Sequence, residues 1–402
     1  MKKIFALIFA LVMLLCFAAC DITPEETKLS MDNIKVGLIC LHDENSTYDA
    51  NFINAIKAVQ QALKLRDDQV IIKTNVDESV DCYNAAAEMV DAGCNIIFAD
   101  SFGHEDFMIQ AAQEFPNVEF CHATGTKAKT AGLSNFHNAF ASIYEGRYLA
   151  GIAAGMKLNE MIETGKITAE QAKIGYVGAW PYAEVISGYT SFFLGARSVC
   201  QSATMRVVYT MSWFDIAKEK ESAETLINDG CVLISQHADS EGAPKACEKA
   251  GVPNIAYNID TGDLGPNTAI ISSKIDWEPY FTLIINAVLD PETVIPVDYC
   301  GDFSTGSVDL TPLHENVAAP GTAEAITAAK AKLMAGEIRV FDTDTFTVNG
   351  EKVTEYIADV IDMGDFVPET NVVKDGYFDE SNANEFRSAP YFDLIIDGIT
   401  VS

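Results

Sequence analysis

The chain has 402 residues, 49% of them hydrophobic, and 58 acidic against 27 basic side chains give it a formal net charge of −31. That length supplies core for two domains. So acidic a field repels nucleic acid, and it leaves the fold open.

The first 20 residues differ in kind. Lys2 and Lys3 precede an apolar run over 4–17, short for a membrane span and suited to a signal peptide. Ala18 and Ala19 before Cys20 resemble a lipobox, so residues 1–19 are expected to be cleaved and Cys20 lipidated. Ordinary secretory cleavage is the plainer alternative. Residues 20–33 are polar and read as a tether. Eight further cysteines are scattered with no CxxC pair, so no metal knuckle is expected and they read as small buried hydrophobes.

From residue 34, short apolar runs alternate with amphipathic ones. Strands are expected at 34–41, 69–74, 95–99 and 118–121, with helices at 51–65, 84–92 and 105–114 between them. A helix over 142–158 closes this unit. The same order then repeats: strands at 173–177, 205–210, 232–236 and 254–257, helices at 185–199, 217–229 and 240–250. Two similar α/β halves, each doubly wound around a parallel sheet, predict two lobes facing a cleft at the C-terminal ends of their strands. The N-terminal lobe is assigned 34–140 with a return segment at about 265–310. The C-terminal lobe is assigned 141–264 with a segment at about 311–340. Residues 341–402 form an extension without an assigned place, beginning with a hairpin around Asn349-Gly350.

Catalytic patterns are scarce. GxSxG, HExxH and P-loop signatures are missing, and no two of the six histidines sit at i, i+4. An enzyme is not expected, nor a cofactor or metal. Binding patterns gather just after the strands instead: Tyr48 and Phe52, then Phe102 and Asp106, then His122. In the second half come Trp213 with Asp215, Asp239, and Asp260. An aromatic face stacks on a flat ring, and a carboxylate accepts from hydroxyls or ring N–H groups. The residues therefore point to a ring-shaped polar ligand, a sugar as much as a heteroaromatic. Each also has a plainer role, with Trp213 packing a lobe and Asp260 capping a turn.

Several stretches together resemble a known family. They are Ser101 to Asp106, Phe115 to Phe120, His122 to Gly125, Tyr144 to Gly151, Glu184-Val185, Ser212 to Glu219 and Ser235 to Ser240. They resemble the basic membrane protein family of substrate-binding lipoproteins, and within it the purine nucleoside receptors of ABC importers. The resemblance implies the type I periplasmic-binding-protein fold with a hinge. It implies a purine base or nucleoside sandwiched by Trp213 and either Tyr48 or Phe52. Asp106 would contact the ring and Asp260 the ribose hydroxyls. The implied partners are a permease and an ATPase, with a lipid-anchored monomer on the extracytoplasmic face of the membrane. The loop over 42–52 departs from the family pattern, which leaves base against nucleoside open. A sugar or other small polar metabolite, or a tethered sensor without transport, are the alternatives.

Overall fold

The computed structural model describes residues 28–402 except 291 and 381, so the leader and Cys20 lie outside the described residues. Residues 28–34 belong to a unit separate from Lys35–Ser402, and within it the Asn33 side chain closes a turn by accepting from the Ser30 N–H at 2.7 Å.

Strand β1 (Val36–Ile39) is buried at every residue, as is β3 (Ile96–Ala99). Between them β2 (Val70–Lys73) is half-buried. Strands without an alternating polar face need cover on both sides. Helices α1 (Thr47–Leu63), α2 (Val80–Asp91) and α3 (Glu105–Glu114) provide it, followed by β4 (Glu119–Ala123), the short α4 (Ala128–Ala131) and β5 (Phe136–Ala141). Helix α5 (Ile143–Glu163) leads into β6 (Lys173–Gly178), α6 (Ala183–Val199), β7 (Thr204–Tyr209) and α7 (Ile216–Asn228). Then come β8 (Leu233–Gln236), α8 (Gly242–Ala250), β9 (Asn254–Tyr257), β10 (Ala269–Ile275), α9 (Glu278–Leu289), β11 (Asp298–Gly301), β12 (Val308–Leu310) and α10 (Thr322–Met334). Beyond them lie the two-residue strands β13 (Ile357–Ala358), β14 (Thr370–Asn371), β15 (Val373–Lys374) and β16 (Tyr377–Phe378), and last β17 (Ile399–Val401).

The first sheet runs β2-β1-β3-β4-β5-β11, all parallel. The second runs β17-β7-β6-β8-β9-β10-β12, parallel except for β12. Strand order reverses between β1 and β3 in one sheet and between β6 and β8 in the other. Open α/β sheets bind ligands at such switch points, beyond the carboxyl ends of the strands.

The return to the first lobe differs from the expected boundary near 265. β10 stays in the second sheet, with Ile271 opposite Ile255 of β9. Its apolar residues are buried there, and the chain crosses only at Asp276. Trp277 then buries itself against Phe52 of α1, ring centroids 4.3 Å apart. The Asp276 N–H donates to the Ser307 carbonyl at 2.8 Å and Ser142 to Gly301 at 2.7 Å, which ties the crossing strands into one hinge region. Strand β11 ends at Gly301, because Asp302 Oδ1 accepts from Ser304 and Thr305 and folds the chain into a turn.

The extension is anchored to both lobes. Phe392 stacks on Phe341 at 4.4 Å and meets Phe378 edge-on at 4.7 Å, giving the segment its own small core. On the first lobe, Thr126 Oγ1 donates to Asp362 at 2.8 Å and the Ser388 N–H to Asp298 at 2.7 Å. On the second, β17 pairs with β7. The Asn349-Gly350 turn forms with positive φ at both residues, but its hairpin is a single bridge between Val348 and Glu351. Among the described residues no helix is long and apolar enough to cross a membrane.

Candidate ligand-binding site

In the first lobe, the chain leaving β1 must turn into α1, and Ser46 caps that helix by accepting from the Asp49 N–H at 3.3 Å. Ser46 Oγ returns a bond to Asp49 Oδ2 at 2.5 Å, and the His42 N–H donates to Oδ1 at 2.8 Å. Burial works against the Asp49 charge, but the bonds from His42 and Ser46 outweigh it and hold the carboxyl below its usual range. Asp100, at the end of β3, has the opposite balance. Burial, then the Asp49 charge, push it well up. Cys40, Asp49 and Asp100 bring potential metal-ligand atoms within 4.8 Å of one another. Asp49 is already satisfied by protein donors there, and Asp100 Oδ1 accepts from the Leu41 N–H. Tyr48 donates its hydroxyl to the Asp100 carbonyl at 2.8 Å. After β4, Thr124 has φ 68, a left-handed conformation that a β-branched residue adopts only under constraint.

In the second lobe, Glu184 stands in the first turn of α6, Trp213 follows β7, and His237 and Asp239 follow β8. Arg147 of α5, 1% exposed, reaches beneath them. Its Nη1 donates to the Gln236 carbonyl at 2.8 Å, and its guanidinium lies 3.5 Å over the Tyr257 ring. Nη2 stands 3.1 Å from His237 Nδ1. Arginine only donates, so Nδ1 accepts and Nε2 carries the proton towards Glu184, 3.5 Å away. Burial lowers the basicity of His237 against the pull of Glu184. Asp239 is 5% exposed, and its Oδ1 has no hydrogen-bond partner among the described residues. Burial, then the charges of Glu219, Asp49 and Glu184, push its carboxyl well up.

These groups face one another across a slot. The Thr47 N–H of the first lobe donates to the Asp239 carbonyl of the second at 2.8 Å, and the His42 and Phe214 rings meet at 5.2 Å. Leu41, His42, Tyr48, Asp49, Ser101, Phe102 and Thr124 line one side, and Glu184, Trp213, His237 and Asp239 the other. The slot's cavity volume is about 20 Å³, room for about one water. Phe102, Thr124, Glu184 and Trp213 also border an outer chamber of about 450 Å³. Its far wall is the extension, with Tyr356, Asp359, Arg387 and Asp393 among its residues.

Of the residues expected from sequence, Tyr48, Phe102, Trp213 and Asp239 meet at the slot. The other five do not line it, each for a local reason. Phe52 is fully buried and stacked on Trp277 in the core. Asp106 is exposed in the first turn of α3, paired with Lys127 at 2.8 Å. Asp215 caps α7, accepting from Ala217 and Lys218. Asp260 holds a turn through the Gly262 N–H and bonds His314 at 2.7 Å. His122 is buried, 2.7 Å from the Ser101 carbonyl, and burial lowers it to about 4. Glu184, His42, Asp49, Ser101, Thr124 and His237 were not chosen. They lie in the post-strand loop over 42–52 or in the stretches that carry the family resemblance, Asp49 and Glu184 in the first turns of α1 and α6. The extension residues carried no sequence signal.

Residues 39–298 match the family model of PnrA-like ABC transporter substrate-binding proteins, Bmp. A purine-binding protein of Brucella abortus is 33% identical over 262 residues, covering 64% of this chain and 70% of that protein. A Haloferax volcanii protein provisionally named an ABC transporter glucose-binding protein is 34% identical over 228 residues, 56% of this chain and 54% of the other. A solute-binding protein of an ABC transporter system from Conexibacter woesei superposes with a TM-score of 0.62 at 19% identity, covering 76% of this chain and 98% of that one. Likeness of that kind speaks to fold, here the type I periplasmic-binding-protein fold. Proteins of this kind bind a small molecule outside the cytoplasm and work with a permease and an ATPase; they are not enzymes. The match across most of both sheets makes this chain a member of the Bmp family of ABC transporter substrate-binding proteins.

Proposed function

We propose that the chain is the receptor of an ABC importer for a purine base or purine nucleoside, tethered to the membrane by lipid on Cys20. The observation that carries this is Phe102 and Trp213, aromatic side chains from opposite lobes that border both the slot and the outer chamber beside Glu184. Stacking of a base on an aromatic ring contributes about 1–3 kcal/mol. Asp239 Oδ1 and Glu184 offer acceptors to ring N–H groups. The Brucella relative's name supports the same ligand class. With the lobes bridged by Thr47 and Asp239 the slot is too narrow for a ring. The ring would therefore sit at the junction of slot and chamber, or enter as the lobes part about the hinge. Tyr182, 47% exposed and 6.0 Å from both the Phe102 and Trp213 rings, is the side chain that would swing aside.

A hexose is the second reading. Sugar rings stack through their apolar faces, and the Haloferax relative's name points that way. Calorimetric titration of refolded residues 21–402 with purine bases, nucleosides, hexoses and amino acids separates the two. Binding is expected for purines alone, and Trp213→Ala should weaken it roughly 5- to 100-fold while leaving the melting temperature nearly unchanged. Binding of hexoses alone would put the second reading in place of the first. Unchanged purine affinity in Trp213→Ala would remove the stack.

A further inference from the structure

Residues 341–402 lie beyond the span that the family model matches, yet they make the far wall of the outer chamber. Two charged side chains in that wall have unused bonding capacity. Arg387 is 6% exposed, with Nε donating to the Ala389 carbonyl at 3.2 Å and Nη2 to that of Pro390 at 3.1 Å. Its Nη1 has no hydrogen-bond partner among the described residues, and neither oxygen of Asp359 has one. Asp359 Oδ2 and Arg387 Nη1 stand 3.9 Å apart, close enough to attract and too far to hydrogen-bond. Leaving such groups unmade costs about 1–3 kcal/mol each, and more when charged.

The spacing is held from both sides. Glu369 accepts from the Val360 and Ile361 N–H groups at 2.8 and 2.7 Å, next to Asp359 in the chain. Ser388, next to Arg387, is fixed on Asp298. The backbone beside each member of the pair is thus fixed, with the two side chains 3.9 Å apart. Glu184, Asp359 and Asp393 set three carboxylates around the chamber against one guanidinium. That balance is hostile to a phosphate.

We propose that Asp359 and Arg387 form a second subsite, which takes the vicinal hydroxyls of a ligand whose ring is stacked at Phe102 and Trp213. This rests on the purine reading and makes the preferred ligand a ribonucleoside rather than a free base. Two adjacent hydroxyls donate to the two oxygens of one carboxylate, and their oxygens accept from a guanidinium N–H. The chamber's volume suits a small-molecule site.

The test is titration calorimetry of the refolded chain with adenine, guanine and hypoxanthine, their ribonucleosides, 2′-deoxyribonucleosides and 5′-monophosphates. Ribonucleosides are expected to bind about tenfold or more tighter than their bases, deoxyribonucleosides and monophosphates. Asp359→Asn, and separately Arg387→Lys, should lower ribonucleoside affinity about tenfold or more and leave base affinity within about twofold. Retained base binding shows that the variant is folded. Base binding with no selective loss for the ribonucleoside, in either variant, overturns the subsite and leaves the purine reading standing. No binding of bases or nucleosides to the unaltered chain removes both.

Discussion

Glu380 of the extension is 5% exposed, with Oε1 unpartnered among the described residues and Oε2 only 3.4 Å from the Tyr391 N. Burial pushes its carboxyl up to about 7. The folded-state value lies above the unfolded one, so the stabilising protonated form is fully present below about pH 4.5 and is lost as pH rises through about 7. Glu380→Gln keeps the shape without the charge. Its stability relative to the parent should therefore rise between pH 5 and pH 8, by on the order of 1–3 kcal/mol, read from urea unfolding at the two pH values. A difference that stays constant across that range would mean Glu380 is ionised in a better-solvated setting than its burial implies. The same dependence on surroundings limited what could be read about single residues in advance. Trp213 and Asp239 were legible because a post-strand loop at a switch point faces the cleft wherever its exact turn goes. Asp106, Asp215 and Asp260 sit in equally suggestive post-strand stretches, but a lysine, two helix N–H groups and a turn N–H claim them. Those claims depend on shifts of one or two residues that periodicity does not resolve.

Helices α5 and α6 pack backbone against backbone. A Cβ added at Gly151 would stand 2.0 Å from the Phe192 carbonyl oxygen, and one at Gly195 2.0 Å from that of Tyr148. Intrinsic helix propensity alone has Gly151→Ala stabilising by up to about 1 kcal/mol. The overlap wins, because a backbone carbonyl cannot rotate away as a side chain can, and the substitution should instead cost about 1–3 kcal/mol or more in urea unfolding. A stabilised variant would mean the helices lie further apart. The extension's packing can be probed in the same way. Phe392, fully buried against Phe341 and Phe378, should cost about 3–5 kcal/mol when replaced by Ala. Loss of less than about 1 kcal/mol would show that the segment is held by its hydrogen bonds instead. Regular elements were read well from sequence, with the helix expected at 105–114 matching α3. The strands of the extension were not, since pieces two residues long carry no measurable period.

At the scale of the molecule, the two halves announce themselves because each repeats the same alternation and each leaves its switch point at the cleft. The extension's place across the mouth of the cleft could not be seen. It is set by pairs such as Thr126 with Asp362 and Asn138 with Ser388, 236 and 250 residues apart in the chain. It bonds to both lobes, and its Asp359 and Arg387 face the aromatic loops across the outer chamber. The most direct measurement is a crystal structure of refolded residues 21–402 with the tightest-binding purine from the titrations. The ring is expected against Phe102 and Trp213, its polar edges on Glu184 or Asp239, and any ribose on Asp359 and Arg387. A ligand bound away from both chambers, or a ring that touches neither aromatic, would contradict it.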